Sequence, residues 1–275
     1  MSTLVAPQPV AEPAAPRGRA GPQQPRRRRL AWLGRWASPL LIVVTWQVLS
    51  SAGVIPEDKI ASPVQIAQRA WELTLDGTLG AATLTSVQRV LVGFALGAAV
   101  GLVLAVLAGL SVLGEHAVDP PMQMLRTLPH FGLIPLFIVW MGIGEAPKIA
   151  LIAMGVAFPL YLNTFAGIRS IDRRMTEAAV TMGLTRRQRL RHVVIPGALP
   201  QSLVGLRQSL GVAWLSLIVA ETVSADSGLG YMINHAREFL QTDVIVVGLA
   251  VYSMLGLATD SLVRLIERRA LAWRS

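Results

Sequence analysis

The sequence predicts an all-α, polytopic membrane protein with about six transmembrane helices, and three observations carry that prediction. Of 275 residues, 53% are hydrophobic and only 15% charged, whereas soluble domains carry about 25% charged residues. Six apolar runs approach the roughly 20 residues of helix that a bilayer requires; their approximate bounds are 37–53, 87–110, 128–143, 147–168, 203–223 and 244–265. With both termini on the cytoplasmic side, twenty of the twenty-five Lys and Arg residues fall in the segments facing the cytoplasm, as the positive-inside bias requires. That distribution accounts for the net charge of +9 through topology and anionic lipid, without nucleic acid.

Residues 1–29 are rich in Pro, Ala, Gln and Arg without periodicity, and read as a disordered tail ending in the Arg26 to Arg29 cluster. Residues 30–275 are read as one transmembrane domain. A cleavable signal peptide competes for the first apolar run, because basic residues precede it and Ser50, Ser51 and Ala52 follow it; its length favours an uncleaved span. The second run carries Gly93, Gly97, Gly101, Ala105 and Gly109 at four-residue intervals. In lipid such a stripe lets backbones approach and gain dispersion contact, so this helix belongs in the middle of the bundle.

Pro129 and Pro135 interrupt the start of the third run. Each frees carbonyls that neighbours or cavity water must satisfy, which makes Pro135 a candidate pathway or gating residue, with a packing kink as the alternative. Glu221 lies near the outer end of the fifth run and Asp260 in the inner part of the sixth. A charge at mid-bilayer costs about 2.5 to 3.5 kcal/mol on insertion scales, so such residues face protein or water. Asp260 has Arg264 one turn away as an ion-pair partner. Glu221 has no partner nearby in sequence, so it either reaches interfacial water or serves in the pathway or gate. Arg89 and Arg126, at span ends, are expected as headgroup anchors, with an anion ligand as the alternative.

Between the fourth and fifth runs lies a polar, arginine-rich island, residues 169–200. Asp172 can cap a helix whose Met175, Ala178, Ala179 and Met182 recur at helical spacing. Gly183 ends it. Thr185 and Gln188 fit a capping box for a second short helix, which is expected to stop by Pro196. Two short amphipathic helices joined by a tight turn, cationic outside and apolar on one side, call for a groove on another protein.

The order Glu177-Ala178-Ala179, Gly183, then Val193, Ile195 and Pro196 resembles the EAA loop of permease subunits of ATP-binding cassette importers, with Val193 and Ile195 standing where that family has Ile and Leu. Ser86 to Arg89, Gly114-Glu115 with Asp119-Pro120, and Ser227 to Ile233 also resemble the family, so the likeness runs from about Ser86 to the C-terminus. The stretch around Pro129 to Glu145 is most similar to the sulfonate, nitrate and taurine branch, with aliphatic sulfonate permeases the nearest match. The resemblance implies a type I importer permease fold in a bacterial cell membrane. It implies a homodimer in which each copy docks an ATPase subunit on its coupling loop, with ATP and Mg on that subunit and none in this chain. It also implies an extracytoplasmic solute-binding protein that delivers the cargo, an aliphatic sulfonate or alternatively nitrate, taurine or another small solute.

The rest of the sequence narrows the field. There is no phosphate-binding Gly-x-x-x-x-Gly-Lys loop, no metal-type spacing among His116, His130, His192 and His235, no spaced Ser/His/Asp set and no cysteine, so no catalytic, cofactor or metal residue is assigned and the chain is not expected to be an enzyme. A secondary transporter and a non-transporting membrane anchor are the rival classes. Neither accounts for the spaced Glu177, Gly183 and Pro196 together.

Overall fold

The computed structural model describes residues 25–56 and 59–272, with side chains from residue 37 onward. All regular structure among them is helical: α1 (Pro25–Ser51), α2 (Pro63–Leu75), α3 (Thr78–Leu110), α4 (Val112–Thr127), α5 (Ile134–Met141), α6 (Glu145–Arg169), α7 (Arg173–Thr181), α8 (Arg186–Arg189), α9 (Ile195–Ser224), α10 (Leu229–Glu238) and α11 (Thr242–Ala270). The expected tail lies outside the described residues up to residue 24, and its last five residues open α1. Most of α1 belongs to a first unit ending at Val48, and all later elements form a second unit, Leu49–Ser275.

Four helices in the second unit are long and apolar enough to cross a membrane: α3, α6, the continuous helical run Arg186–Ser224, and α11. The third predicted run, 128–143, supplies only one arm of a bent pair; the other arm, α4, lies before it where no run was predicted. Leu128, held extended by the proline after it, separates α4 from a 3-10 turn at His130–Leu133 that leads into α5, and the two arms meet at 87°. Together they make a fifth candidate span, while Ala37–Ser51 in α1 is a shorter apolar helix. Two further helices lie where no run was predicted. One is α2, opened by a Ser62/Gln65 capping box; the other is α10. In addition, α3 starts at Thr78, nine residues before the predicted span, because Gly77 with φ of 80° ends the preceding turn and no breaker follows.

The expectation that the second island helix stops by Pro196 is overturned. After α8 the chain makes a π-turn over Leu190–Val194, with the Ile195 N–H bonded to the Leu190 carbonyl, and then runs through Pro196 and Pro200 to Ser224. The widened turn already displaces the hydrogen-bond ladder, so a proline missing its N–H falls where the ladder is interrupted and the helix passes through it.

The long helix α6 is the hub, with α3 on one side and α9 on the other. Its Leu151, Ile152, Val156, Leu160 and Tyr161 are fully buried. The small-residue stripe of α3 lies against it. A Cβ on Gly93 would stand 2.7 Å from Ile152 Cβ, one on Gly101 2.7 Å from the Ala157 carbonyl oxygen, and one on Gly109 2.8 Å from Ile168 Cγ2. On Gly97 it would collide with the Ala153 carbonyl, and Ala105 is fully buried. On the opposite flank Ser209 of α9 donates to the Val156 carbonyl at 2.9 Å.

Candidate functional site

Two polar regions stand at opposite ends of α6 and α9. At one end is the island hairpin. Asp172 accepts from the Arg174 N–H at 2.8 Å and caps α7. Gly183 follows with φ of 77°, a left-handed conformation that glycine adopts without the Cβ clash other residues meet. Gln188 Oε1 accepts from the Thr185 N–H at 2.9 Å, and the Gln188 N–H reaches the Thr185 hydroxyl at 3.4 Å, completing the capping box. Of the apolar stripe only Ala179 is buried; Ala178 is exposed, and Met175 and Met182 are 60% and 74% exposed. Glu177 is exposed and pairs with Arg173 at 2.8 Å. Val193 and Pro196 are half-buried where the hairpin meets α9, while Ile195 is exposed.

At the other end lies a charge cluster that the sequence reasoning did not assemble. Glu221 does not reach interfacial water: its side chain is fully enclosed. Arg89 Nη1 donates to it at 2.7 Å, the Tyr252 hydroxyl at 2.8 Å and the Gly230 N–H at 2.8 Å, and the Ser86 hydroxyl sits 2.8 and 2.9 Å from its two oxygens. Arg89, itself 3% exposed, is no headgroup anchor. Its Nε and Nη2 grip both oxygens of Glu145 at 2.6 and 2.7 Å, and it also donates to the Ser227 carbonyl and hydroxyl. Lys148, 1% exposed, donates to Glu145 at 2.9 Å. The Leu229 N–H at the start of α10 bonds the Ser86 hydroxyl at 2.9 Å. Gly228, with φ of 102°, lets the chain pass so close that a Cβ there would stand 2.6 Å from Arg89 Nη1.

The cluster thus ties α3, α6, α9, α10 and α11 together through charge-assisted hydrogen bonds, and it satisfies buried charges that would otherwise be costly. Two segments singled out by resemblance, Ser86 to Arg89 and Ser227 to Ile233, meet in it through Arg89–Ser227 and Leu229–Ser86 hydrogen bonds. The pairing of Arg89 with Glu221 across 132 residues had no local signal beyond a guanidinium and a carboxylate at span ends.

The remaining predicted residues are placed separately. Pro135 is exposed in the first turn of α5. Asp260 pairs with Arg264 at 2.7 Å, as its spacing predicted, and also with Arg207 at 3.3 Å. Arg126 is exposed near the end of α4. No group of three metal-ligating side chains occurs among the described residues.

A bundle of long apolar helices with one broken span and a capped polar hairpin at one end defines a polytopic, α-helical integral-membrane protein. The chain belongs to the family of binding-protein-dependent transport system inner membrane components, whose model matches residues 97–271. It is 44% identical over 253 residues, 92% of each chain, to the putative aliphatic sulfonates transport permease protein SsuC of Bacillus subtilis (strain 168). It is 45% identical over 249 residues to the protein of that name from Escherichia coli (strain K12), covering 90% of this chain and 95% of the relative. The taurine transport system permease protein TauC of Escherichia coli (strain K12) is 31% identical over 90% of this chain and 94% of its own. In fold the chain is similar to an amino acid ABC transporter, at a TM-score of 0.60 and 19% identity over 72% of this chain and 96% of the other. It is also similar to the inward-facing MetNI methionine ABC transporter, at 0.53 and 21% over 66% and 92%. The protein is therefore a multi-pass permease of the ATP-binding cassette importer class, with the type I importer fold.

Proposed function

We propose that this chain forms the translocation path for aliphatic sulfonates, driven by ATP hydrolysis on a separate subunit that docks on the hairpin Glu177 to Gly183. One observation supports the docking reading above the rest: Met175, Ala178 and Met182 form an exposed apolar face on a helix capped at its start by Asp172 and closed at its end by backbone bonds around Gly183. An amphipathic helix laid into a groove is a recurrent recognition mode. Exposed Glu177 and the surrounding arginines supply a charged rim, and the basic residues support a cytoplasmic hairpin with both termini on the same side.

In this reading two copies pair, a solute-binding protein presents cargo from outside, and ATP with Mg binds only on the partner ATPase. The hairpin is fused to α9 through the π-turn, so its movement is transmitted along a helical run ending beside Glu221. ATP binding then biases a two-state equilibrium at a distance through differential contacts. The cluster around Glu221 acts as a brace that lets the far ends of α3, α6, α9 and α11 move as one body. The cargo is inferred from the 44% and 45% identity to permeases named for aliphatic sulfonates, against 31% for the taurine permease; taurine, an aminoalkane sulfonate, shares the same head group.

Uptake of a labelled alkanesulfonate in a strain lacking this chain, with and without its restoration, tests the proposal. Restored uptake and restored growth on sulfonate sulfur are expected. Growth unaffected by the deletion, or restored uptake of nitrate alone, discards the sulfonate cargo, and restored uptake of taurine alone discards the unsubstituted alkanesulfonate.

A further inference from the structure

Away from the Glu221 cluster, some span hydroxyls and a group of three carboxamides are satisfied in different ways. Hydroxyls fold back onto their own helices: Thr222 donates to the Ile218 carbonyl, Ser253 to Leu249 at 2.9 Å and Thr259 to Leu255 at 2.9 Å. A hydroxyl satisfied in this way can face lipid. Three carboxamides behave differently. Asn163 of α6 donates to the Pro159 carbonyl at 2.8 Å and to Gln208 Oε1 at 2.9 Å, and accepts from Gln201 Nε2 at 2.8 Å. The three side chains form a ladder across the α6 and α9 interface. It spends both Asn163 N–H groups and leaves the Gln208 amide nitrogen with no acceptor among the described residues.

Gln201 and Gln208 are exposed. Gln208 stands five residues inside the predicted start of the fifth span, about 7 Å along the axis, and Asn163 five residues inside the end of the fourth. Gln201, Gln208, Gly211 and Leu215 are exposed along one face of α9, where a Cβ on Gly211 meets nothing within 4 Å. Unsatisfied amide donors do not lie against hydrocarbon; at this depth they face protein or a water-filled cavity.

We infer that Gln208, oriented by Asn163 and flanked by Gln201, lines the translocation path and donates its free N–H groups to the oxygens of the passing oxyanion. This inference rests on the importer reading above. Neutral donors suit transit: a hydrogen bond to an anion is charge-assisted, yet without a fixed cation it stays weak enough to release. The nearest arginine on α9, Arg207, is instead held by Asp260 and by Glu267 at 2.8 Å on α11.

The chain contains no cysteine, so an introduced thiol is the only one in this chain and its labelling is read on the separated permease subunit. In proteoliposomes carrying the whole transporter, the Gln208→Cys protein is expected to react with a charged, membrane-impermeant thiosulfonate and to lose uptake as it does so. The Val106→Cys protein, with its thiol at similar depth on an exposed position of α3, is expected to resist. Gln208→Leu is expected to raise the KM for alkanesulfonate on the order of tenfold with assembly unchanged, and Gln208→Glu to raise it further by like-charge repulsion.

No modification of Gln208→Cys with or without ATP overturns the inference. Spontaneous cross-linking of Gln208→Cys between two copies without labelling also overturns it, in favour of a copy-to-copy packing contact. Wild-type uptake in the same vesicles separates the two readings: failure there sinks the sulfonate cargo, whereas failure of labelling alone sinks the assignment of Gln208.

Discussion

Arg173 and Glu177 in the hairpin pair across one helical turn with side chains 91% and 61% exposed. At the far end of the bundle Arg89 and Glu221 pair across 132 residues with 3% and 0% exposed. The same two residue types serve opposite ends. In water the exposed pair contributes little, so its charges stay available to a partner and its helix stands on caps rather than tertiary contacts. In the bundle the pair cannot be opened without leaving a buried charge, so it holds five helices in register. A region built to be gripped keeps its polar groups loose, and a region built to hold shape satisfies each of its charges internally.

Mutation should separate the two regions, and the largest effect is expected in the cluster. Glu221→Ala removes the fully buried partner of Arg89, leaving it Glu145 and Ser227, and losing one partner of a buried pair costs about 3–5 kcal/mol. The detergent-solubilised protein should melt far lower or fail to accumulate, and a melting temperature within error of wild type would show the cluster to be dispensable. At the hairpin, Glu177→Arg should leave melting nearly unchanged while the ATPase subunit no longer co-purifies, a loss of about 2 kcal/mol or more if the site is a binding hot spot. Retained co-purification would remove the hairpin from the docking surface.

Between the two regions, Gly101→Leu drives a side chain into the Ala157 carbonyl and should destabilise the α3 and α6 contact by about 1–3 kcal/mol, read as a lower melting temperature. The smallest effect is expected from Thr185→Ala, which removes one cap of the second island helix at about 1 kcal/mol. It should loosen the hairpin, seen as faster amide exchange over residues 184–189, without altering the Glu221 cluster. Equal exchange in both proteins would show that the cap is not what holds the turn.

Much of the hairpin was legible because its determinants are local. The Asp172 cap, the Gly183 turn and the Thr185/Gln188 box each need only three or four neighbouring residues. The small-residue stripe of α3 was legible for a similar reason, since a four-residue period on one helix marks a face whatever packs on it. The break before α5 was half legible: Pro129 and Pro135 announced an interruption, but not that α4 forms the other arm of a bent pair. Pro196 misled, because a π-turn that begins six residues earlier absorbs the proline.

The sequence by itself determined the class of protein, the apolar runs, the caps and turns of the island and the close-packing face of α3, since helical periodicity and capping act within a turn or two of chain. Only the tertiary structure decided which distant charges meet. Arg89 and Glu221 each read as an isolated charge at the end of a span, and nothing short of the packing of α3 against α6 and α9 could show that a low-dielectric interior forces them onto one another. The same packing sets the amide of Gln208 beside Asn163 and leaves its donors unspent.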